Sequence, residues 1–140
     1  MSLYILDTDT CSYIQRHRPI EVLKMMQQKA EHGEAISISS ITYAEMLLGA
    51  ERSDATKKHL KLIAELVDRL DSVLPWDAEA AERLSKLQAA LYKKGTPIVP
   101  NDTMIAGHAL SVNGIIVTNN EKHFKKVPKL KIENWVKGNL

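Results

Sequence analysis

Only one cysteine, Cys11, occurs in the 140 residues, so no disulfide can form within the chain. That suits a reducing compartment. Five prolines and six glycines are present, and neither type gathers into a linker, a repeat or a low-complexity stretch. A single domain spanning 1–140 is therefore expected. No apolar run approaches the roughly 20 residues of a membrane-spanning helix. The opening MSLYILDTDT offers four apolar residues and no basic lead, which fits neither a signal peptide nor an anchor and suggests a cytoplasmic protein. Aromatic residues make up only 5%. A base-stacking surface is not announced by so few, and Tyr43, Trp76 and Trp135 read first as core residues. No His or Cys cluster has zinc-ligand spacing, and Gly107 and Gly114 form no phosphate-binding loop.

What the chain does have is 44% hydrophobic and 26% charged residues, ordinary values for a soluble globular domain. The net charge of +2 is no nucleic-acid signal by itself, but its distribution is uneven. Between Lys122 and Lys137 lie six lysines, including Lys122, Lys125 and Lys126, against one acid, Glu133. Arg52, Lys57, Lys58 and Lys61 form a second cluster. Such patches attract phosphates, although from charge alone a solvated lysine surface is the simpler reading.

Short β-type runs alternate with longer helical ones. Leu3–Leu6 reads as a strand, followed by a helix over about 8–16. A second helix enters through Pro19 with Ile20, Leu23 and Met26 on one face, and His32-Gly33 ends it. Residues 35–39 alternate as a second strand, and a helix follows over about 40–50 behind Ser/Thr caps. Asp54 is placed to cap a helix carrying Leu60, Ile63, Ala64 and Val67. Val73-Leu74 is a short strand that Pro75 confines to an edge or an end. Asp77 caps a helix with Ala80, Leu84, Leu87 and Leu91 in helical spacing, and Gly95 stops it. A further helix starts near Asp102 and ends at Asn113-Gly114. Ile115–Val117 is a β-branched, parallel-type strand, and a last strand lies near 130–132. This alternation predicts an α/β fold with a central, mainly parallel sheet of four or five strands flanked by helices.

In such sheets functional groups collect outside the carboxyl ends of the strands. Asp7 directly follows the first strand. Glu45 lies in the otherwise apolar Ile41–Leu48 stretch that follows the second, where a buried carboxylate would need a partner. Asp102 opens a helix, and Asn119 and Asn120 follow the Ile115–Val117 strand after Thr118. Asp7 and Asp102 taken singly read equally well as helix-terminal groups. Taken together, the acids suit the chemistry of Mg2+ or Mn2+, hard cations that take oxygen ligands and assist phosphodiester hydrolysis. His108, in an apolar helix, reads as a packed residue rather than a general base, and Cys11 as a small buried hydrophobe.

Three segments, Leu6-Asp7-Thr8-Asp9, Ile41–Glu45 and Pro100–Ala109, together with Ile116–Asn120, Phe124, Val127-Pro128, Leu130, Glu133 and Trp135, give the chain its resemblance. In order and spacing it resembles the PIN-domain ribonucleases over essentially its full length, and within them the VapC toxins of toxin–antitoxin pairs. The resemblance implies that Asp7, Glu45 and Asp102 are catalytic, with Asp7 and Asp102 as metal ligands for Mg2+ or Mn2+. It implies that Thr8 and Thr118 support those ligands through hydrogen bonds, with Asp9 and Asn119 beside them. Asn120 stands where many PIN domains carry a fourth aspartate. The resemblance further implies a homodimer, a cognate VapB-type antitoxin with which it forms a higher complex, and an RNA substrate: transfer RNA, initiator transfer RNA cut in its anticodon loop in the branch that looks nearest. Lys122, Lys125 and Lys126 are the candidate RNA contacts.

Two other readings stand beside this one. The first is a catalytically weak PIN domain that mainly binds RNA or a partner protein, which the missing fourth aspartate keeps open. The second is a phospho-receiver-like α/β domain, weakened because no suitable lysine follows the last strand.

Overall fold

The computed structural model describes residues 1–138. In chain order the elements are β1 (Leu3–Leu6), α1 (Thr8–Arg16), α2 (Ile20–Glu31), β2 (Ala35–Ser39), α3 (Ser40–Glu51), α4 (Thr56–Asp68), β3 (Ser72–Leu74), α5 (Ala78–Lys94), α6 (Pro100–Ser111), β4 (Ile115–Val117), α7 (Glu121–Phe124), β5 (Lys131–Glu133) and a closing 3-10 turn (Trp135–Lys137). The strands form one five-stranded sheet in the order β3-β2-β1-β4-β5, and every neighbouring pair is parallel. This is the predicted α/β architecture.

Side chains alternate across a strand, and this period of two divides the core. Tyr4 and Leu6 of β1 join a cluster on one face of the sheet with Cys11, Ile14, Val22, Met25, Met26, Leu66 and Trp135. Ile5 points the other way and packs with Leu87, Leu91, Ile105, Ala106, Ala109 and Phe124. So α1, α2 and α4 supply one layer, and α5 and α6 the other. Each fully buried Leu, Ile or Phe in these layers stabilises the fold by roughly 1.5–3 kcal/mol.

The strand order also fixes where a site can form. The chain leaves β1 toward β2 and β3 on one side, then crosses back to lay β4 and β5 on the other. The switch point lies between β1 and β4, and a crevice opens there beyond the strands' carboxyl ends. Asp7 ends one of these strands and Thr118 the other.

Several local expectations are corrected. Ile20 is half exposed, and α2 buries Val22, Met25 and Met26 instead. The core-facing stripe is displaced from Ile20 because α2 follows directly on the turn at Arg18-Pro19 and lies against α1 and β2. Asp54 does not cap α4. Its N-cap is Ala55, without a side-chain hydrogen bond, while Ser53 Oγ accepts from Ala55 N–H in the preceding turn. Ala64 is exposed, and Ile63 and Leu66 form the buried stripe. The helix α6 begins at Pro100, two residues before Asp102, because proline is preorganised for the first helical position.

Candidate active site

The site starts from the way Asp7 ends β1. Its backbone turns out of the strand, and its side chain accepts a hydrogen bond from Thr10 N–H at 2.8 Å, capping α1. The residue is only 5% exposed, yet no cationic side chain among the described residues pairs with it. Burial therefore pushes its carboxyl above the ordinary carboxylate value. Hydrogen bonds from Thr118 and Thr10 oppose the shift, and repulsion from Asp9 adds to it. The capping role read from the sequence is real, but it leaves a desolvated negative charge without a counter-ion.

Hydrogen bonds link most of the other candidates into two groups, one of which contains Asp7. Thr118, buried at the end of β4, bonds to the Asp7 carboxylate and accepts from Asn120 N–H at 2.8 Å. Thr8 Oγ1 donates to Glu45 Oε1 at 3.1 Å, which ties α3 to the first turn of α1. Asp102, in the first turn of α6, has its Oδ2 3.1 Å from His123 Nδ1. The same ring nitrogen lies 2.8 Å from the Asn120 amide. Hydrogen bonds thus run from Asp7 through Thr118, Asn120 and His123 to Asp102 along the carboxyl edge of the sheet, while Glu45 is held by Thr8, the residue that follows Asp7 in the chain.

Two candidates sit apart from this run. Asp9 is exposed on α1 and reaches Asp7 only as a repelling charge. Asn119 is also exposed; its amide donates to Tyr13 Oη at 3.3 Å and its oxygen accepts from Asn134 at 2.9 Å. It fastens the β4–α7 turn to α1 and to the C-terminal segment. Among the lysines, Lys125 and Lys137 pair with Glu121. Lys122 and Lys126 are exposed and have no ion pair among the described residues.

The expected carboxylate cluster also needs a correction. Among the described residues, no three His, Cys, Asp or Glu side chains stand close enough together to hold a metal ion by themselves. Hydrogen bonds to Thr8 and His123 hold Glu45 and Asp102, so the acids form an extended chain and not a closed cage.

His123 is the participant that the sequence reading missed. His123 follows Asn120 by three residues, and that spacing on a helical turn was the available signal. His108 is buried, as expected. Its Nδ1 lies 2.8 Å from Ser39 Oγ, which itself caps α3. Burial lowers its affinity for a proton, with Asp77 and the Pro75 carbonyl opposing. It links α6 to the start of α3 and does not face the acids. Cys11 is fully buried, and burial followed by the charge of Asp7 pushes its thiol far up. It is inert packing.

The PIN domain family model matches residues 4–130. The chain belongs to the PIN-domain family. Within that family its relatives are VapC ribonucleases. It is 37% identical over 135 residues to the tRNA(fMet)-specific endonuclease VapC of Salmonella typhimurium, covering 96% of this chain and 99% of that one. It is also 37% identical over 136 residues to ribonuclease VapC2 of Haemophilus influenzae, covering 97% and 100%. Among solved structures it superposes on the VapBC2 complex of Rickettsia felis, determined on a promoter DNA fragment, with TM-score 0.89, 32% identity and coverage of 95% and 98%. For the DNA-bound VapBC of Salmonella typhimurium the values are 0.88, 36%, 96% and 99%. These PIN-domain matches leave no room for the phospho-receiver reading. No helix among the described residues of this PIN domain is long and apolar enough to cross a membrane.

Proposed function

We propose that this chain is the RNA-cutting toxin of a VapBC-type toxin–antitoxin pair, a metal-dependent endoribonuclease acting on transfer RNA, with initiator transfer RNA as its specific target. The observation that carries the reading is the buried Asp7 at the β1/β4 switch point, without a cationic partner among the described residues and joined by hydrogen bonds through Thr118, Asn120 and His123 to Asp102, in a chain of full-length similarity to VapC ribonucleases. A homodimer and a complex with a VapB-type antitoxin belong to the same proposal.

The donor set suits a hard divalent cation. Asp7 and Asp102 offer carboxylate oxygens, with the Asn120 amide between them in the hydrogen-bonded run and Glu45 held by Thr8. Asp7 in particular holds a charge that burial disfavours and that no side chain among the described residues neutralises. Mg2+ or Mn2+ bound there would neutralise charge on the scissile phosphate and make a bound water more acidic. The chain's own residues prepare that site. Thr118 and Thr10 fix the Asp7 oxygens, Thr8 holds Glu45, and α7 brings the Asn120 amide and His123 to Asp102. The described residues do not close a three-ligand cage, so an ion held by Asp7 and Asp102 would leave positions for the RNA phosphate and water.

Incubating the purified protein with a transfer RNA pool tests the reading. Discrete cleavage products are expected with Mn2+ or Mg2+, with none in EDTA and recovery when metal is restored. Cleavage of equal rate in EDTA overturns metal dependence. Binding without cleavage at any metal concentration favours the alternative, a PIN domain that mainly binds.

Lys122 on α7 and Lys126 just after it have no ion pair among the described residues, which makes them the better RNA contacts of the three lysines, since Lys125 shares Glu121. The double change Lys122→Glu, Lys126→Glu is expected to weaken transfer RNA binding about tenfold near 0.1 M salt and to flatten the dependence of log Kd on log salt by roughly two contacts' worth. An unchanged salt slope identifies the patch as solvated surface.

A further inference from the structure

We propose that His123 is a positioning residue of this site: its Nδ1–H holds the Asp102 carboxylate and, through the same proton, the side-chain oxygen of Asn120. The inference rests on the ribonuclease reading above and extends it to a residue that the carboxylate pattern does not include.

His123 Nδ1 lies 3.1 Å from Asp102 Oδ2 and 2.8 Å from the terminal amide of Asn120. A ring nitrogen has either one proton or one lone pair to offer. With Nδ1 bare, it accepts from an Asn120 N–H but turns a lone pair toward a carboxylate oxygen, which is repulsive. With Nδ1 protonated, it donates to Asp102. The Asn120 amide, turned end for end, then brings its oxygen to the same proton. Only this second arrangement satisfies all three groups. The Asp102 carboxylate therefore selects the Nδ1–H form of the ring, and one oxygen of Asp102 is fixed while the other stays free.

The rest of the fold holds the ring in place. His123 lies on α7 beside Phe124, which is 1% exposed and packs into the same cluster as Ile105 and Ala106 of α6. The helix carrying Asp102 and the turn carrying His123 therefore share one core. At the other end, Asn120 is tied to Thr118, and Thr118 to Asp7. His123 thus closes the span between the β4 end and the α6 start, the two elements whose separation sets the distance between Asp7 and Asp102. A hydrogen-bonded carboxylate is better oriented toward a cation, and loss of such a partner typically lowers metal affinity or activity about 10–100-fold.

Three substitutions discriminate the role, because asparagine can place an amide N–H near the position of Nδ1 whereas glutamine reaches the position of Nε2. For His123→Ala we expect kcat on transfer RNA to fall about thirtyfold with KM changed less than threefold, and Mn2+ affinity measured by calorimetry without RNA to weaken about tenfold. His123→Asn is expected to recover most of both losses, and His123→Gln neither. Rescue by glutamine but not asparagine overturns the proposal in favour of chemistry at Nε2. Wild-type behaviour of all three variants overturns it outright, as does equal loss in all three accompanied by equal loss of melting temperature, which assigns the ring to general packing. A wild-type protein that cuts no RNA would instead refute the ribonuclease reading, and the Mn2+ titrations of the three variants would still decide the role of His123.

Discussion

Asp7→Asn is expected to abolish RNA cleavage, by a factor of at least about 10³, while making the protein more stable. The two effects share one cause. Asp7 is buried with no cationic partner among the described residues, and its pKa is raised chiefly by desolvation, so the ionised form is held at the expense of the fold. Asparagine has nearly the same shape, and its Oδ1 can still accept the 2.8 Å bond from Thr10 N–H that caps α1. What disappears is the charge, and with it both the ligand and the strain. The sign follows from linkage. A carboxyl whose folded pKa is raised contributes most below its unfolded value, about 3.9, and that contribution is lost as pH rises through the folded value. The wild type should therefore match Asp7→Asn near pH 4 and fall below it toward pH 7. A gain on the order of 1–2 kcal/mol at neutral pH raises the melting temperature by about 3–8 °C in a chain of this length. Saturating Mn2+ should close the gap from the wild-type side only. A mutant that melts lower than wild type at pH 7, or a difference that does not change with pH, would show that the Asp7 charge is already compensated in the apo protein.

The same residue shows how far the sequence could be read. The continuous apolar run Leu3–Leu6 and the β-branched Ile115–Val117 run located the two strands that flank the switch point, because burial on both faces leaves a compositional mark. Asp77 and Gly95 bounded α5 as expected, since caps act through adjacent backbone. Asp54 failed as a cap because the Ser53 hydroxyl took the turn instead, a competition that local spacing does not reveal. The acids were legible as residues at strand ends. Thr8 and Thr118 were legible beside them through the family resemblance, but His123 was not, because it meets Asp102 only after α7 and α6 have packed. Nor did the sequence reveal that Glu45 and Asp102 are separately tethered; that depends on side-chain directions fixed by tertiary contacts.

This dependence of the site on packing leads to the second large effect, at Gly107. It lies on α6, five residues after Asp102, where α6 crosses α5. A Cβ added there would come 3.0 Å from Leu84 Cα, 3.1 Å from its N and 3.2 Å from its Cβ. The first two are backbone atoms of a helix and cannot rotate aside, so the helices must separate. Gly107→Val is expected to cost about 2–4 kcal/mol through overpacking, lowering the melting temperature by roughly 5–15 °C. RNA cleavage should fall further than the unfolded fraction accounts for, because displacing α6 moves Asp102 away from His123. Gly49→Ala provides the control. That glycine is also inside a helix, α3, but nothing lies within 4 Å of its added Cβ, so the better helix propensity of alanine should stabilise the protein by about 0.5–1 kcal/mol. Opposite signs at the two glycines, read by urea unfolding, follow from close helix approach at one and open space at the other. If Gly107→Val melts like the wild type, α5 and α6 can part without consequence, and the position of Asp102 must be set by α7 and β4 alone.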